Sequence, residues 1–302
     1  MESQGGLGVE RMCGLAQISR ASFYRQWEAH AIGELDQDLR DQIQRTALRH
    51  PYYGYRKVTK VLRRQGRPVN AKKVRRLMHD DNLLAQRRRK FVRTTDSEHD
   101  FLVYPNLAKN LVLSDVDQLW VADITYVRLQ EEFVYLAVVL DAYSRRVVGW
   151  ALGRGLDAQL ALTALDRAIA ARRPRPGLVH HSDRGSQYAS DKYVKRLEGI
   201  GAVLSMSRAG RPWENGKCER FMRTLKEEEI DARSYRDLDE LQHNLEEFIE
   251  TIYNRERLHA ALKYLTPVEF EQQQARPESA SWIPAGLSLR RHEEIYPEAS
   301  GD

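Results

Sequence analysis

The sequence lacks the features that mark disulfide-stabilised and membrane-anchored proteins. Its 302 residues include only two cysteines, Cys13 and Cys218, which are too few for a disulfide framework and are spaced unlike any zinc module. No apolar run is long enough to cross a bilayer, and the N-terminus shows no basic-then-apolar leader. These absences predict a protein of a reducing cytoplasm that has no membrane partner.

Acidic residues are scarce in one segment of the chain. Residues 54–93 contain 15 lysines and arginines but only two acids, Asp80 and Asp81. This segment carries +13, so the other 262 residues sum to −8 in a chain of net charge +5. Such segregation is the electrostatic footprint of a polyanion binder. A merely solvated basic face is the alternative, and the helical pattern inside the segment favours nucleic acid.

The basic segment has the pattern of two short helices joined by a turn. Residues 65–68 break the first helix, and Asn70 is a suitable N-cap for the second. The outward cations would enter a major groove or grip phosphates, and the basic run after them would contact phosphates or a minor groove. The predicted DNA contacts here are Arg56, Lys57, Lys72, Lys73, Arg75, Arg76, Arg87, Arg88, Arg89 and Lys90. A weaker helix-turn-helix pattern lies at residues 11–27.

After a polar linker the hydrophobic period changes from that of helices to that of strands. The predicted strands are residues 118–129, 132–140, 145–152, 178–181 and 202–206, with helices at 157–172, 191–199 and 238–253. Three strands followed by alternating helices and strands favour a mixed α/β sheet. The predicted domains are a helical region at 1–50, a basic DNA-binding domain at 51–93, a linker at 94–112, a catalytic core at 113–232, a helical extension at 233–274 and an irregular tail at 275–302.

Three acids stand at positions that favour a metal site. Asp123 lies inside the first predicted strand, where an unpartnered charge is costly to bury. Asp183 ends the fourth strand, and α/β sheets place ligands at the carboxyl ends of their strands. Glu219 lies on the helix that follows. Converging carboxylates require a cation, and hard oxygen ligands select Mg²⁺ or Mn²⁺; two such ions about 4 Å apart could activate a water or hydroxyl and stabilise a leaving oxygen.

Residues 210–229 begin as a loop and continue as an amphipathic helix. One face carries Cys218, Phe221, Met222 and Leu225 at helical spacing, which predicts burial. A neighbouring face carries Glu219, Arg223 and Lys226. Taken alone, this charged face is equally compatible with solvent exposure and with an active site.

These blocks, in their order, resemble the DDE transposases and retroviral-type integrases. The closest match is to the downstream-frame product of the "insertion sequence three" family. The matching blocks are GYR at 54–56, VN at 69–70, WVADITY at 120–126, HSDRGSQY at 181–188, LK at 225–226, YN at 253–254 and TP at 266–267. Asp183 and Glu219 are separated by 35 residues, the spacing typical of that superfamily. The resemblance implies a ribonuclease H-like α/β core in which Asp123, Asp183 and Glu219 form the DDE motif and hold two Mg²⁺ or Mn²⁺ ions.

One departure from the family pattern leaves a second candidate for the third acid. The family usually has Asp-Asn before this acid, whereas this chain has Glu214 followed by Asn215. Glu219 is preferred because it lies inside the helix, on the face shared with Lys226, and fits the 35-residue gap. Glu214 lies in the approach to the helix.

The resemblance also implies a function and partners. The helical modules would bind terminal inverted repeats, and the core would hydrolyse a 3′ end and drive the 3′-OH into target DNA, without a covalent protein–DNA intermediate. It further implies a circular intermediate, a homo-oligomer on paired ends, a frameshift fusion with an upstream-frame helix-turn-helix protein, and a bacterial, nucleoid-associated location. The rivals are a catalytically inactive repressor of the element and a nuclease without strand transfer.

Other polar residues carry smaller expectations. Lys226 resembles the integrase lysine that contacts transposon-end DNA, with a solvated lysine as the alternative, and Arg223 is a weaker candidate of the same kind. The remaining expectations are a phosphate contact or structural role for His181 and Ser182, a turn role for Asp141, solvent exposure for Asp115 and Asp117, and core bracing or DNA contact for Asn254, Arg257 and His259.

Overall fold

The computed structural model describes residues 9–15, 34–83, 104–109, 111–208 and 211–274. The chain divides into two compact units, residues 1–87 and 88–302. The first unit contains α1 (Val9–Leu15), α2 (Glu34–Arg49), α3 (Tyr55–Arg64) and α4 (Ala71–Asp80). The second contains β1 (Leu119–Arg128), β2 (Phe133–Asp141), β3 (Val147–Gly153), α5 (Ala158–Arg172), β4 (Val179–Ser182), α6 (Asp191–Glu198), β5 (Val203–Met206), α7 (Gly216–Glu228), α8 (Leu238–Glu246) and α9 (Pro267–Gln274).

Helices α3 and α4 form the helix-turn-helix predicted from the basic segment. One side of each helix is buried, as the spacing predicts. The buried residues are Val58, Thr59, Leu62, Val74, Leu77 and Met78. Gly66 allows the tight turn between them because its φ of 81° is accessible to glycine at little cost. Asn70 caps α4 as predicted, since its side-chain oxygen accepts a hydrogen bond from the Lys72 N–H at 2.8 Å.

The second unit is built on a five-stranded mixed sheet with the order β3-β2-β1-β4-β5. Strands β1, β2 and β3 pair antiparallel, whereas β4 is parallel to both β1 and β5. The predicted mixed α/β class is therefore confirmed. All five strands and the helices α5 and α6 lie within a few residues of their predicted positions.

Each face of the sheet carries its own hydrophobic core. Helices α7 and α8 pack on one face, which Val121 enters from β1, and helices α5 and α6 pack on the other, which Trp120 and Ala122 enter. Side chains alternate along a strand, so Asp123 belongs to the face covered by α7. Gly149 on β3 permits close packing of α5, since a Cβ at this position would lie 2.3 Å from the Ala164 carbonyl oxygen.

The long helix predicted at residues 238–253 changes its winding midway. Helix α8 ends at Glu246 and continues as a π-helix over Glu247–Glu256. The wider turn rotates the buried face, so that Ile249 and Tyr253 are buried and Ile252 is only partly covered. Ile252 still packs against this core from its edge. In the described part of the chain no helix is long and apolar enough to span a membrane.

The segment before β1 corrects one polar expectation. Asp117, expected to be solvated, pairs with Arg172 at 3.0 Å and accepts a hydrogen bond from the Trp120 indole at 2.9 Å. A left-handed turn at Asp117 (φ 57°) brings its carboxylate onto the last turn of α5. Asp115 is exposed, as predicted.

Candidate active site

Two of the three predicted acids are brought together by the pairing of β1 with β4. The parallel register aligns Val121 with His181. Continuing this register by two residues places Asp183 beside Asp123, because both strands run in the same direction. Asp183 follows the last residue of β4, and its carboxylate accepts a hydrogen bond from the Gly185 N–H at 3.0 Å. A local turn thus holds Asp183 next to the central strand.

The third acid, Glu219, lies in the first turn of α7. This helix is fixed to β1 by its apolar stripe, since Cys218, Phe221, Met222 and Leu225 are all buried as predicted. The side-chain amide of Asn215, just before the helix, donates to the Ala122 carbonyl at 2.9 Å. That bond holds the start of α7 against the residue that precedes Asp123.

The Asp123 carboxylate interacts electrostatically with both other acids. Its pKa is raised to about 8, first because burial disfavours the charged carboxylate and next because Asp183 repels it. Glu219 adds to this rise, whereas the Ile124 N–H, which donates at 2.9 Å, and the Lys226 ammonium oppose it. The three acids therefore share one electrostatic environment.

Close to the acids lie two buried groups that the sequence did not mark as part of the site. The pKa values of Tyr188 and Cys218 are both raised well above their usual range, mainly by burial and then by nearby carboxylates that include Asp123 and Asp183. The Tyr188 hydroxyl is buried and has no hydrogen-bond partner among the described residues. Tyr188 belongs to the core on the α5–α6 face of the sheet and Cys218 to the core on the α7 face, so the acids have poorly solvated neighbours in both cores.

The donor chemistry of the three acids fits a hard divalent cation. All three supply carboxylate oxygens, the ligands that Mg²⁺ and Mn²⁺ prefer, and their mutual repulsion is what a cation would relieve. Within the described ranges, no group of three or more His, Cys, Asp or Glu side chains is already arranged to hold an ion. Mg²⁺ commonly binds through only one or two carboxylates and keeps several waters. The residues thus fit the ion in type without forming a closed cage.

Glu214, the alternative third acid, is committed to a different network. Its side chain is only 6% exposed and pairs with the Arg208 guanidinium at 2.6 Å. It also accepts from the Arg208 N–H at 2.9 Å and from the Asn106 amide at 2.8 Å. The Arg208 side-chain hydrogen bonds are the largest cause of its pKa falling to about 2. Glu214 therefore ties the loop before α7 to the segment around Asn106.

Comparisons with known proteins agree with this architecture. Integrase core domain profiles match residues 114–212 and 201–267, and an HTH-like domain profile matches residues 34–91. An uncharacterized 31 kDa protein of insertion element IS600 from Shigella sonnei is 35% identical over 266 residues, which is 86% of this chain and 97% of that protein. The transposase InsF of insertion sequence IS3A from Escherichia coli (strain K12) is 32% identical over 274 residues, or 89% and 95% of the two chains. This chain belongs to the IS3-type insertion-sequence transposases.

A solved structure is also similar to part of the transposase. The HTLV-2 integrase catalytic core domain, solved in complex with magnesium, covers 52% of this chain and 97% of its own length, with a TM-score of 0.40 and 16% identity. The two integrase core domain profiles themselves fall within residues 88–302, so the second unit is an integrase core built on a five-stranded mixed sheet.

The cations of α7 in the transposase differ in exposure. Lys226 is half-buried, with its ammonium 4.9 Å from the centre of the Tyr126 ring. Its pKa is lowered by burial, while Asp231 and Asp123 act in the opposite direction. Arg223 is exposed on the same face. Lys226 is therefore not simply solvated, and its predicted DNA contact remains a prediction.

The predicted DNA-contacting cations of the transposase lie mainly on the outside of α3 and α4. Arg56, Lys72, Arg75 and Arg76 are exposed, whereas Lys57 and Lys73 are half-buried. Two aromatic rings order this surface: Lys57 lies 4.5 Å from the Tyr53 ring and Arg75 lies 5.7 Å from the Tyr55 ring. Arg87, Arg88, Arg89 and Lys90, the second helix predicted within 11–27, and the tail at 275–302 lie outside the described residues.

Several polar residues near the acids brace the core of the transposase. His181 is buried between the Ser205 and Ser207 hydroxyls at 2.8 and 3.1 Å, and burial lowers its pKa to about 4. Asn254 is also buried and bonds both the N–H and the carbonyl of Val147 at 3.1 Å. The structural alternatives thus hold for His181 and Asn254.

Ser182, Arg257 and Asp141 also make structural contacts. The Ser182 hydroxyl is buried and donates to the Asp183 carbonyl at 2.9 Å. Arg257 pairs with Glu228 at 2.6 Å. Asp141 accepts from the Ser144 N–H at 2.7 Å and closes the β2–β3 turn, as predicted.

Asn215 and Tyr188 appear in the sequence only as members of the blocks around Glu214 and Asp183. Neither role could be assigned without pairing partners, since the Asn215–Ala122 bond joins positions 93 residues apart. The only signal in the sequence is that polar residues stand close to each acid.

Proposed function

We propose that this transposase binds the terminal inverted repeats of its insertion sequence and catalyses 3′-end cleavage and strand transfer. One observation carries this proposal: Asp183 and Glu219 both add to the rise in the pKa of Asp123 that burial begins, and the Asn215 bond to Ala122 holds the start of the Glu219 helix against the same strand. Carboxylates from two strands and a helix then face one another at the carboxyl end of a parallel strand pair, where α/β sheets bind ligands.

In this proposal Asp123, Asp183 and Glu219 hold two divalent ions, Mg²⁺ or Mn²⁺. Bound there, the ions would supply Lewis-acid activation of a water or 3′-hydroxyl and stabilise the leaving oxygen of a phosphodiester. The buried Tyr188 and Cys218 give the acids poorly solvated neighbours. Lys226, near Asp123, and Arg223 on the same helix face would contact the DNA backbone. The polynucleotidyl transfer needs no covalent intermediate with the protein.

The choice of Glu219 over Glu214 is supported by how each side chain is engaged. Glu214 is occupied by Arg208 and Asn106, so moving it onto a metal would break four close hydrogen bonds. Glu219 lies on α7 and contributes to the repulsion that raises the pKa of Asp123. Glu214 is therefore proposed as a residue that positions α7, and Glu219 as the metal ligand.

The helical unit supplies sequence-independent affinity and register in this proposal. Its exposed cations would contact phosphates of the terminal repeat, with α4 in or near the major groove. We further propose a homo-oligomer on paired ends, target DNA as the second substrate, and a frameshift fusion with the upstream-frame helix-turn-helix protein. The location that follows is the bacterial cytoplasm, at the nucleoid.

One assay tests the function. Labelled terminal-repeat duplex is incubated with the purified transposase and Mg²⁺, and binding, nicking and strand joining are scored separately, with EDTA as the control. Nicked and joined products that require metal are expected. Binding without cleavage would instead identify a repressor, and cleavage without joined products would identify a nuclease.

A further inference from the structure

A second polar surface lies on the integrase core, away from the three acids. A cavity of about 320 Å³ is bounded by the β2–β3 turn, the start of α7 and residues 261, 262 and 270. Arg145 and Lys217 line it, and no acidic residue does. The Tyr143 and Phe270 rings, 5.2 Å apart, form part of its wall. This cavity is thus cationic, with aromatic and aliphatic walls.

The two cations of the cavity form no ion pair within the described part of the chain. Neither Arg145 nor Lys217 forms a side-chain hydrogen bond there, although both are half-buried. One carboxylate, Asp141, attracts Lys217, but it already accepts hydrogen bonds from the Tyr143 and Ser144 N–H groups of its own turn. Burial and the nearby Arg220 lower the pKa of Arg145. Partly desolvated like charges repel each other, and an anion in the cavity would relieve this repulsion.

The protein positions Arg145 by a strained turn. Its φ of 64° lies in the left-handed region, which non-glycine residues rarely adopt. Asp141 fixes the turn by accepting hydrogen bonds from the Tyr143 and Ser144 N–H groups at 2.9 and 2.7 Å. Because glycine would adopt this backbone without strain, an arginine here points to a use for its side chain.

Helix α7 connects the cavity to the acids. Lys217 and Arg220 are three residues apart and share one face, and Arg220 in turn neighbours Arg223 on the adjacent face that carries Glu219 and Lys226. An α-helix with side chains is about 10–12 Å across, close to the roughly 12 Å width of a DNA major groove. A duplex engaged at Glu219 can therefore reach past the start of α7. The positive end of the α7 dipole adds to the attraction for an anion there.

We propose that Arg145 and Lys217 form a phosphate-binding site that holds a backbone phosphodiester of bound DNA at a distance from the reacting one. This inference deepens the proposed function, since DNA is the substrate in both. Arg145 offers a planar fork for a phosphate, and Lys217 offers a compact charge. The absence of base-reading amides around the cavity fits a contact that positions the duplex without reading its sequence.

The test is a lysine acylation footprint of the full-length transposase, read by mass spectrometry near pH 8 in EDTA. A duplex of arbitrary sequence should slow acylation of Lys217 several-fold and leave Lys195 unchanged, because exposed Lys195 lies on α6, across the sheet. Unprotected Lys217 at saturating DNA would overturn the proposal. Equal protection by polyglutamate would overturn it as well, in favour of an acidic protein partner.

A second arm uses the salt dependence of binding to the same duplex. Arg145→Gln and Lys217→Gln should each lower the slope of log K against log salt by about 0.9, the value for one phosphate contact. The double variant should lose little more than either single variant, because both cations hold one phosphate. Lys195→Gln should keep the wild-type slope. Unchanged slopes in both single variants would contradict the site.

Two controls keep the result interpretable. Arg145→Lys keeps the charge and should restore Lys217 protection if Arg145→Gln melts at a lower temperature than the wild type. Glu219→Gln should abolish strand joining while Lys217 stays protected. Protection without any joining by the wild type would therefore sink the proposed function and leave the phosphate site standing, whereas joining without protection would do the reverse.

Discussion

Helices α4 and α7 have similar sequence patterns and different surroundings. Each places an apolar stripe beside lysines and arginines. On α4 the cations Lys72, Arg75 and Arg76 stay exposed, and the buried side packs within a small helical unit. On α7 the charged face lies against a central strand and includes Glu219, so its charges perturb Asp123. One pattern thus yields a binding surface where solvent remains and a chemical site where solvent is excluded.

In the proposed function, burial rather than charge content separates the helix that binds DNA from the helix that takes part in catalysis. Exposed cations interact with DNA through a screened, long-range attraction that tolerates substitution one residue at a time. Half-buried carboxylates interact strongly because the local dielectric is low. Substitutions on α7 should therefore have larger and more specific effects than substitutions on α4.

The largest expected effect is the loss of strand joining, which distinguishes Glu219, within α7, from Glu214, before it. Glu219→Gln should reduce strand joining by at least about 10³-fold, the scale on which one preorganised electrostatic group acts in catalysis. DNA binding should be retained. Glu214→Gln is the matched control and should keep measurable joining, because Glu214 acts through Arg208 and Asn106. If Glu214→Gln abolished joining and Glu219→Gln did not, the assignment would be reversed.

The next effect is on the pH dependence of stability without metal. Asp123 has a native pKa of about 8 and an unfolded value near 3.9, so between these pH values only the native state holds the proton. Raising the pH through this window lowers the free energy of unfolding, by up to about 1.4 kcal/mol per pKa unit. Asp123→Asn should remove this loss, so the variant should melt above the wild type at pH 8 in EDTA.

Metal addition checks the same prediction from the other side. Mg²⁺ favours the charged carboxylate, so it should raise the melting temperature of the wild type at pH 8 and leave Asp123→Asn nearly unchanged. Thermal melting at pH 5, where Asp123 is protonated in the native state, is the control. A variant that tracked the wild type at every pH would show that Asp123 does not carry the shifted proton.

A smaller effect is expected on α4. Lys72→Gln and Arg75→Gln should each lower the salt slope of DNA binding by about 0.9 and weaken binding several-fold at physiological salt. Joining at saturating DNA should stay unchanged, because neither side chain belongs to the integrase core. Lys192→Gln, an exposed lysine of α6, is the control of equal charge. A loss of joining at saturating DNA would show that α4 does more than bind.

The smallest effect concerns the cap of α4. Asn70→Ala removes the acceptor for the Lys72 N–H and should destabilise the helix by about 1 kcal/mol. Hydrogen exchange at Lys72 should then accelerate about fivefold, while amides of β1 stay protected. Asn70→Asp keeps the acceptor and should exchange like the wild type. Equal exchange in Asn70→Ala and the wild type would show that the cap contributes no stability.

Much of the fold was open to prediction because local patterns and the final packing agree. The apolar stripes of α3, α4 and α7, the Asn70 cap and the five strands are all encoded at short range. The π-helix at Glu247–Glu256 was not, because it depends on burying Asn254 beside Val147, more than 100 residues away in the chain. Asp117 was misjudged for the same reason, since its partner Arg172 lies at the far end of α5.

In the candidate site, too, some features follow from the local sequence and others only from the packing of distant segments. The sequence determined which acids exist, that Asp123 lies in a strand and Asp183 at a strand end, and that Glu219 is 35 residues farther on. Only the tertiary structure decided that Glu214 is occupied by Arg208 and Asn106, that Asn215 ties α7 to Ala122, and that Arg145 meets Lys217 in a cavity. The physical reason is that helix and strand periods are local properties of a chain, whereas partners, burial and the resulting pKa values depend on which distant segments pack together.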